Sequence, residues 1–213
     1  TAMKVLFVNG SSHKEGCTYT ALCEMADTLN REGIETAIFW IGNKPVGGCI
    51  ACMKCRETGK CVFDDVVNRF REKAYEVDGF VFGSPVHYAA ASGNMTAFMD
   101  RLFYSELGGN GNKAFYMKPA AAVISARRAG TTATFDQLNK YFTIQEMPVV
   151  SSRYWNMVHG TNAEQVRKDA EGLHTMRVLG RNMAYLLKCQ EAARKAGIPL
   201  PEREEPIFTN FIR

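Results

Sequence analysis

Cys49, Cys52, Cys55 and Cys61 place four thiols within 13 residues. Closely spaced thiolates on flexible backbone can wrap one iron–sulfur cubane, and Gly47, Gly48 and Gly59 supply the flexibility. No Pro follows the last cysteine, so the run is not the bacterial ferredoxin motif. A four-thiolate zinc site fits less well, because structural zinc usually draws its ligands from two separated knuckles. Idle thiols are the third reading. A second chemical stretch is Gly10-Ser-Ser-His-Lys-Glu-Gly16-Cys17-Thr18, which joins an apolar run to the start of a helical period. Hydroxyls, backbone N–H groups and a helix dipole converge there, which suits a phosphate. Five residues separate the glycines and Cys17 stands where a Walker lysine belongs, and no G-x-G-x-x-G is present. What remains is a cup for a terminal phosphomonoester, or an ordinary strand-to-helix turn.

The elements that must position these residues alternate. Lys4–Asn9 is an apolar run of the kind buried on both faces of a parallel sheet. Leu22, Met25, Ala26 and Leu29 form the stripe of a helix closed by Gly33. Ile34 to Ile41 reads as the second strand. Asp64 and Asp65 are N-cap residues for a helix carrying Val66, Val67, Phe70 and Ala74. Further strands are expected at Val77–Gly83, Pro119–Ser125 and Met147–Ser151. Between them lie a Met95–Phe103 helix, a mobile or interfacial Gly/Asn-rich segment from Glu106 to Lys118, and a helix over Thr132–Phe142. Thr161 and Glu164 form a capping-box pair for one long last helix ending near Gly197. The tail beyond it holds Ile207, Phe208, Phe211 and Ile212 and is expected to dock on its own domain or on a neighbouring subunit. Trp40 reads as core, Cys23 and Cys189 as buried small residues, and Cys17, at a helix start, as a thiol whose pKa could be lowered. Trp155, near Tyr154 and His159, reads as the cover of a substrate pocket or as an interface residue.

Strands alternating with helices argue for a parallel sheet covered on both faces. Ligands of such sheets sit beyond the carboxyl ends of the strands. That rule selects four loops, Gly10–Thr18, Gly42–Cys61, Ser84–Ser92 and Ala126–Thr132, and the unusual sequence features fall in those same four places. Composition agrees with a globular chain: of 213 residues, 46% are hydrophobic and 23% charged, which excludes disordered, collagen-like and disulfide-scaffold classes. The net charge of +4 is scattered, so no nucleic-acid stripe is expected. No apolar stretch approaches the roughly 18 residues of a membrane span. The opening Met3–Val8 lacks the regions of a secretory signal, which predicts a cytoplasmic protein with reduced cysteines.

The run N-G-S-S-H-K-E-G-C-T after an apolar strand, F-G-S-P-V-H-Y before a helix ending F-M-D-R-L, and the later A-R-R-A-G-T-T together resemble the NAD(P)H-dependent FMN reductase family. The chain looks closest to the branch that includes the iron–sulfur flavoproteins, whose cysteine cassette it carries and whose tail T-N-F-I-R resembles. The resemblance implies an α/β, flavodoxin-like three-layer sandwich. Its five-stranded parallel sheet has order 2-1-3-4-5, with helices on both faces. This domain would span residues 1–197 with a Cys-rich insert at 42–61, followed by a docking tail at 198–213. By position, Ser11, His13, Cys17 and Thr18 would hold the FMN phosphate. Pro85, Val86, His87 and Tyr88 would line the ribityl chain and ring, and Ala126, Arg127, Arg128 and Gly130 its polar edge. Cys49, Cys52, Cys55 and Cys61 would be the ligands of a [4Fe–4S] cluster.

The family usually carries Pro and Arg where this chain has Ser12 and His13. A histidine bears its charge only on the acid side of neutrality, which implies a weaker, pH-dependent hold on FMN. The implied activity takes hydride from NAD(P)H and passes electrons to a quinone, a nitro or azo compound, free flavin or a redox protein, in a homodimer or homotetramer. The alternatives are an iron–sulfur flavoprotein acting as an electron carrier and a thiol or metal redox sensor built on Cys49–Cys61.

Overall fold

The computed structural model describes residues 2–211. Strand β1 (Lys4–Asn9) pairs in parallel with β2 (Glu35–Trp40) on one side and β3 (Gly79–His87) on the other. β3 pairs in parallel with β5 (Ala120–Ala126), and β5 with β6 (Met157–His159). A two-residue strand, β4 (Ala90–Ala91), folds back antiparallel on the end of β3. Without that flap the order β2-β1-β3-β5-β6 is the expected five-stranded parallel arrangement.

Alternation along each strand explains the apolar runs. Leu6, Val8, Phe80, Phe82, Ala120, Ala122 and Ile124 point to one face; Val5, Phe7, Val81, Ala121 and Val123 point to the other. The first face is covered by α3 (Val66–Ala74), α4 (Gly93–Asn110) and α5 (Thr131–Ile144). It is aromatic: Phe70 meets Phe39 edge-on at 5.2 Å and Phe98 at 5.3 Å, and Phe82 meets Phe142 at 5.3 Å. The second face is covered by α1 (Cys17–Arg31) and α7 (Ala170–Lys195), with Leu22, Met25, Leu179 and Met183 against the sheet.

Several expectations need correction. The fifth strand is not Met147–Ser151, which touches the sheet only through the Ala120–Val149 bridge. The paired segment is Met157–His159. A rise of four residues along β5, from Ala120 to Ile124, is matched by a rise of eight along the edge chain, from Val149 to Met157, so the edge strand is interrupted by an outward loop over 151–156. The polar run Ser151-Ser152-Arg153 has nothing to bury and leaves the sheet there. The last helix is likewise broken into α6 (Ala163–Lys168) and α7 at Asp169, whose carboxylate caps α7 by accepting from the Gly172 N–H. The cap of α6 is shifted by one residue: Asn162 accepts from Gln165, while Thr161 donates back to the Gln165 side chain.

The Gly/Asn-rich segment is not loose. α4 runs on to Asn110, and Ala114 and Phe115 are buried behind it. Trp40 is half-buried rather than core, its indole N–H donating to the Ser11 carbonyl at 2.8 Å. Cys189 is exposed and Cys23 only half-buried. The tail touches the domain where Tyr116 donates to the Pro201 carbonyl and Arg203 pairs with Glu146. Beyond that, Ile207, Phe208 and Phe211 stand 89–90% exposed, so these three do not dock on their own domain. Ile212 lies outside the described residues.

Candidate functional site

The carboxyl ends of the strands share one edge. Asn9 is in register with Trp40 and Gly83, and Ala126 with His159. The loop after β1 wraps around the last strand residue: the Asn9 side chain accepts from the Ser11 N–H at 3.1 Å and donates to the Lys14 carbonyl at 2.9 Å. Gly10 donates to the Gly83 carbonyl at 2.8 Å, and the Ser92 hydroxyl donates to the Gly10 carbonyl at 2.9 Å. The approach at Gly10 is close, since a Cβ there would stand 2.6 Å from Met95 Sδ. After Gly16 no side chain caps α1 and no acidic residue sits in its first turn. The helix therefore presents uncapped backbone N–H groups and the positive end of its dipole beside the exposed Ser12 and His13.

The four residues expected to hold a phosphate divide into two kinds. His13 is exposed and free to reach an anion. Ser11, Cys17 and Thr18 instead tie the loop down. The Ser11 hydroxyl accepts from the His13 N–H, the Cys17 thiol donates to the Gly160 carbonyl, and the Thr18 and Ser125 hydroxyls share a buried bond of 2.8 Å. Burial pushes the Cys17 thiol above its ordinary value, outweighing the backbone hydrogen bond at the helix start that lowers it. A reactive thiol at Cys17 is thereby disfavoured.

The second loop is tighter than expected. β3 continues through Pro85, which is in register with Ser125, to His87, and Val86 and His87 pair with Ala91 and Ala90. The chain reverses at Tyr88 and Ala89 with φ of +49° and +58°, both in the left-handed region and neither a glycine. A two-residue hairpin of this kind normally uses Asn-Gly, so Tyr-Ala here is strained. Such strain concentrates at ligand sites. Tyr88 projects fully into solvent at the tip. The third loop packs under this turn. Gly130, with φ of +90°, sits so close that a Cβ would lie 2.7 Å from Ala89 Cα and 2.8 Å from Val86 Cγ1. Arg127 and Arg128 are exposed at the same edge, and among the described residues neither forms an ion pair. His159, beside Ala126, has its N–H bound to Asp169 at 2.7 Å and its Nδ1 3.9 Å from the same carboxylate. The expected set omitted His159 as a sheet-edge residue, because its place depends on the interrupted strand. Phe135 and residues 151–156 line a groove of about 360 Å³ beside that strand, with Tyr154 and Trp155 packed at 5.1 Å and half-exposed.

The cysteine insert is organised around a five-residue helix, α2 (Lys54–Thr58), entered through Met53 and left through Gly59, both left-handed. Cys55 is buried; Cys49 and Cys52 are exposed and Cys61 is intermediate. Burial first, then the neighbouring Cys49, Cys52 and Cys61 thiols, pushes the Cys55 thiol up. Cys55 is thus within electrostatic reach of the other three, although among the described residues no three metal-binding side chains close on a common point. Helix α4 braces the insert along its length. Asn94 bonds Lys44 and Val46, Arg101 bonds Gly47 and Cys61, and Asn110 donates to the Gly59 carbonyl. Gly109 of α4 leaves room for the Cys55 carbonyl, which an added Cβ would meet at 2.1 Å. A set of four thiols with N–H donors to sulfur (Ala51 to Cys49 at 3.5 Å, Arg101 to Cys61 at 3.2 Å) suits a thiolate-ligated cluster chemically.

The sequence profile of the NADPH-dependent FMN reductases matches residues 3–162. This chain belongs to that family. An iron–sulfur flavoprotein of Methanocaldococcus jannaschii is 33% identical over 195 residues, covering 87% of this chain and 98% of the relative. An iron–sulfur flavoprotein of Archaeoglobus fulgidus is 24% identical over 209 residues, covering 91% and 100%. Among solved structures, RosB with a bound formylriboflavin phosphate intermediate aligns with a TM-score of 0.69 at 16% identity, over 100% of this chain and 94% of its own. An archaeal flavodoxin aligns at 0.57 with 15% identity, over 87% and 99%. This FMN reductase family member therefore has the flavodoxin-like fold and is a flavin-dependent oxidoreductase. Among the described residues no helix is long and apolar enough to cross a membrane.

Proposed function

We propose that this protein binds FMN at the shared sheet edge, takes hydride from NAD(P)H, and delivers electrons to a small acceptor or a redox protein, with the cysteine insert holding a [4Fe–4S] cluster. The observation that carries the reading is the meeting of an uncapped helix start, a strained two-residue turn and an unpaired arginine pair on one sheet edge. When bound, FMN would supply a ring that accepts hydride and releases electrons singly or in pairs. The residues here supply position and charge. The α1 N–H groups and His13 hold the phosphate dianion, while Ser11, Cys17 and Thr18 keep that loop in place. Pro85 to Tyr88 wall the ring, and Arg127 or Arg128 offsets negative charge that develops at its polar edge. Quinones, nitro or azo compounds and free flavin are the small acceptors that suit such an open edge. The name iron–sulfur flavoprotein borne by the M. jannaschii relative supports the cluster, and a homodimer or homotetramer in the cytoplasm is the proposed working form.

The test is a visible spectrum of protein purified without oxygen, followed by NADPH and NADH consumption with a quinone. Flavin bands, a broad shoulder bleached by dithionite, and quinone-dependent turnover are expected. Colourless protein that refuses added FMN would end the flavin reading. Flavin without turnover on any acceptor or nicotinamide would leave an electron carrier instead.

A further inference from the structure

Arg101 sits in the middle of α4 at 2% exposure, on a face otherwise built from Phe98, Met99, Leu102 and Phe103. A buried guanidinium is tolerated only when its N–H groups are met, and it has five. Here Nε donates to Cys61 Sγ at 3.2 Å. Nη1 donates to the Gly47 carbonyl at 3.1 Å and Asp65 Oδ2 at 2.8 Å. Nη2 donates to the Phe63 carbonyl at 3.4 Å and Asp65 Oδ1 at 2.8 Å. The Phe63 ring lies against the guanidinium at 4.9 Å. All these partners belong to the cysteine insert or to the four residues after it, while the arginine belongs to the body of the sandwich. Asp65 is itself anchored as the N-cap of α3, where it accepts from the Val67 N–H. Cys61 is held further by Asn68, which accepts from its N–H and donates to its carbonyl.

We propose that Arg101 is the positioning residue of the cysteine cassette. Its planar guanidinium fork ties Gly47, two residues before Cys49, to Cys61, and so fixes the cassette at both its entry and its exit. Its Nε–H then bonds one ligand sulfur, Cys61, with a charged donor. This rests on the reading that the cassette holds a cluster. A donor and a positive charge beside a ligand sulfur favour the reduced, more negative cluster and raise its potential. Lysine keeps the charge but is a point donor and cannot reproduce the fork.

The experiment compares wild-type protein with Arg101→Gln and Arg101→Lys, each purified anaerobically and reconstituted with iron and sulfide. Iron retention against a chelator, cluster potential by redox titration, and hydrogen exchange over residues 44–63 are read together, with FMN uptake as the check on folding. Arg101→Gln is expected to hold iron about 10- to 100-fold less tightly, the range for outer-shell partners of a metal site. Its remaining cluster shifts to a more negative potential, and residues 44–63 exchange faster while β1, β3 and β5 do not change. Arg101→Lys shows the same fast exchange with a smaller shift in potential. If neither folds, Asp65→Asn, which keeps the α3 cap and weakens the fork, is held to the same three readouts. Wild-type iron retention and potential in the variants overturn the proposal, even if exchange rises, because Arg101 is then a structural brace alone. A wild-type chain that takes up no iron overturns the cluster reading and this proposal together, an outcome distinct from failure in the variants only.

Discussion

The carboxyl edge of the sheet and the cysteine insert both lean on helix α4 but are built on opposite principles. At the edge, position follows from the sheet. Adjacent strands are about 4.8 Å apart, so ending them in register brings their loops together without any dedicated side chain. Backbone bonds such as Gly10 to Gly83 and Gly160 to Ala126 close the edge, and the side chains of Asn9, Ser11, Thr18 and Ser92 then tie the first loop down. The insert has no ladder and little share in either core, and ordering each of its residues costs about 1–2 kcal/mol of backbone entropy. It is held by side chains of α4, residue by residue. Helix α4 starts at Ser92, whose hydroxyl holds the Gly10 carbonyl, and ends at Asn110, which donates to Gly59. A site made by topology takes its overall position from the sheet, whereas a site grafted onto a helix takes its position from a few side chains.

Two glycine variants break this comparison most directly. Gly109→Ala drives a Cβ into the Cys55 carbonyl and Gly59 Cα, both backbone, and costs about 3 kcal/mol of local packing. It should abolish iron uptake while flavin fluorescence quenching reports unchanged FMN affinity. Gly130→Ala is the converse. It puts a side chain at φ of +90° and into Ala89, and is expected to weaken FMN about tenfold or more, at least about 1.4 kcal/mol, with iron uptake intact. Loss of both cofactors in either variant would show that the two regions act as one unit.

Smaller effects sharpen the same contrast. Thr18→Val removes one partner of the buried bond to Ser125 and should cost about 1–3 kcal/mol by urea denaturation. The double variant Thr18→Val/Ser125→Ala should recover most of that loss, because no hydroxyl is then left unpaired. The smallest effect concerns Tyr75, which with Arg71 meets the buried Glu106 beneath the insert. Burial, then Glu106, pushes its phenol up to about 12. An unfolded tyrosine titrates near 10, so between pH 10 and 12 the unfolded chain releases a proton that the folded chain keeps. The stabilisation is present below pH 10 and is lost as pH rises through that window. Tyr75 is 43% exposed, so the change is modest. Melting temperatures at pH 9 and 11 should fall less for Tyr75→Phe than for wild type.

Much of this was readable along the chain. The apolar alternation of β1, the Asp65 cap, the helical stripe of α1 and the placing of the unusual loops at the strand ends all depend on spacing between near neighbours. So did the four thiols. The misreadings have physical causes. Met147–Ser151 is as β-rich as a strand, but the sheet takes only one bridge from it and completes its edge with Met157–His159. Thr161 and Asn162 both suit a cap, and only the backbone chooses Asn162. Arg101 resembles a surface residue because arginine is mostly exposed. A parallel sheet presenting a phosphate-suited turn and a cysteine cassette follows from the order of residues alone, since periodicity and short spacing are local properties. The meetings of Thr18 with Ser125, 107 positions away, and of Arg101 with Cys61, 40 positions away, exist only in the folded chain. Hydrogen bonds across such distances depend on how the layers pack, and no local pattern encodes that.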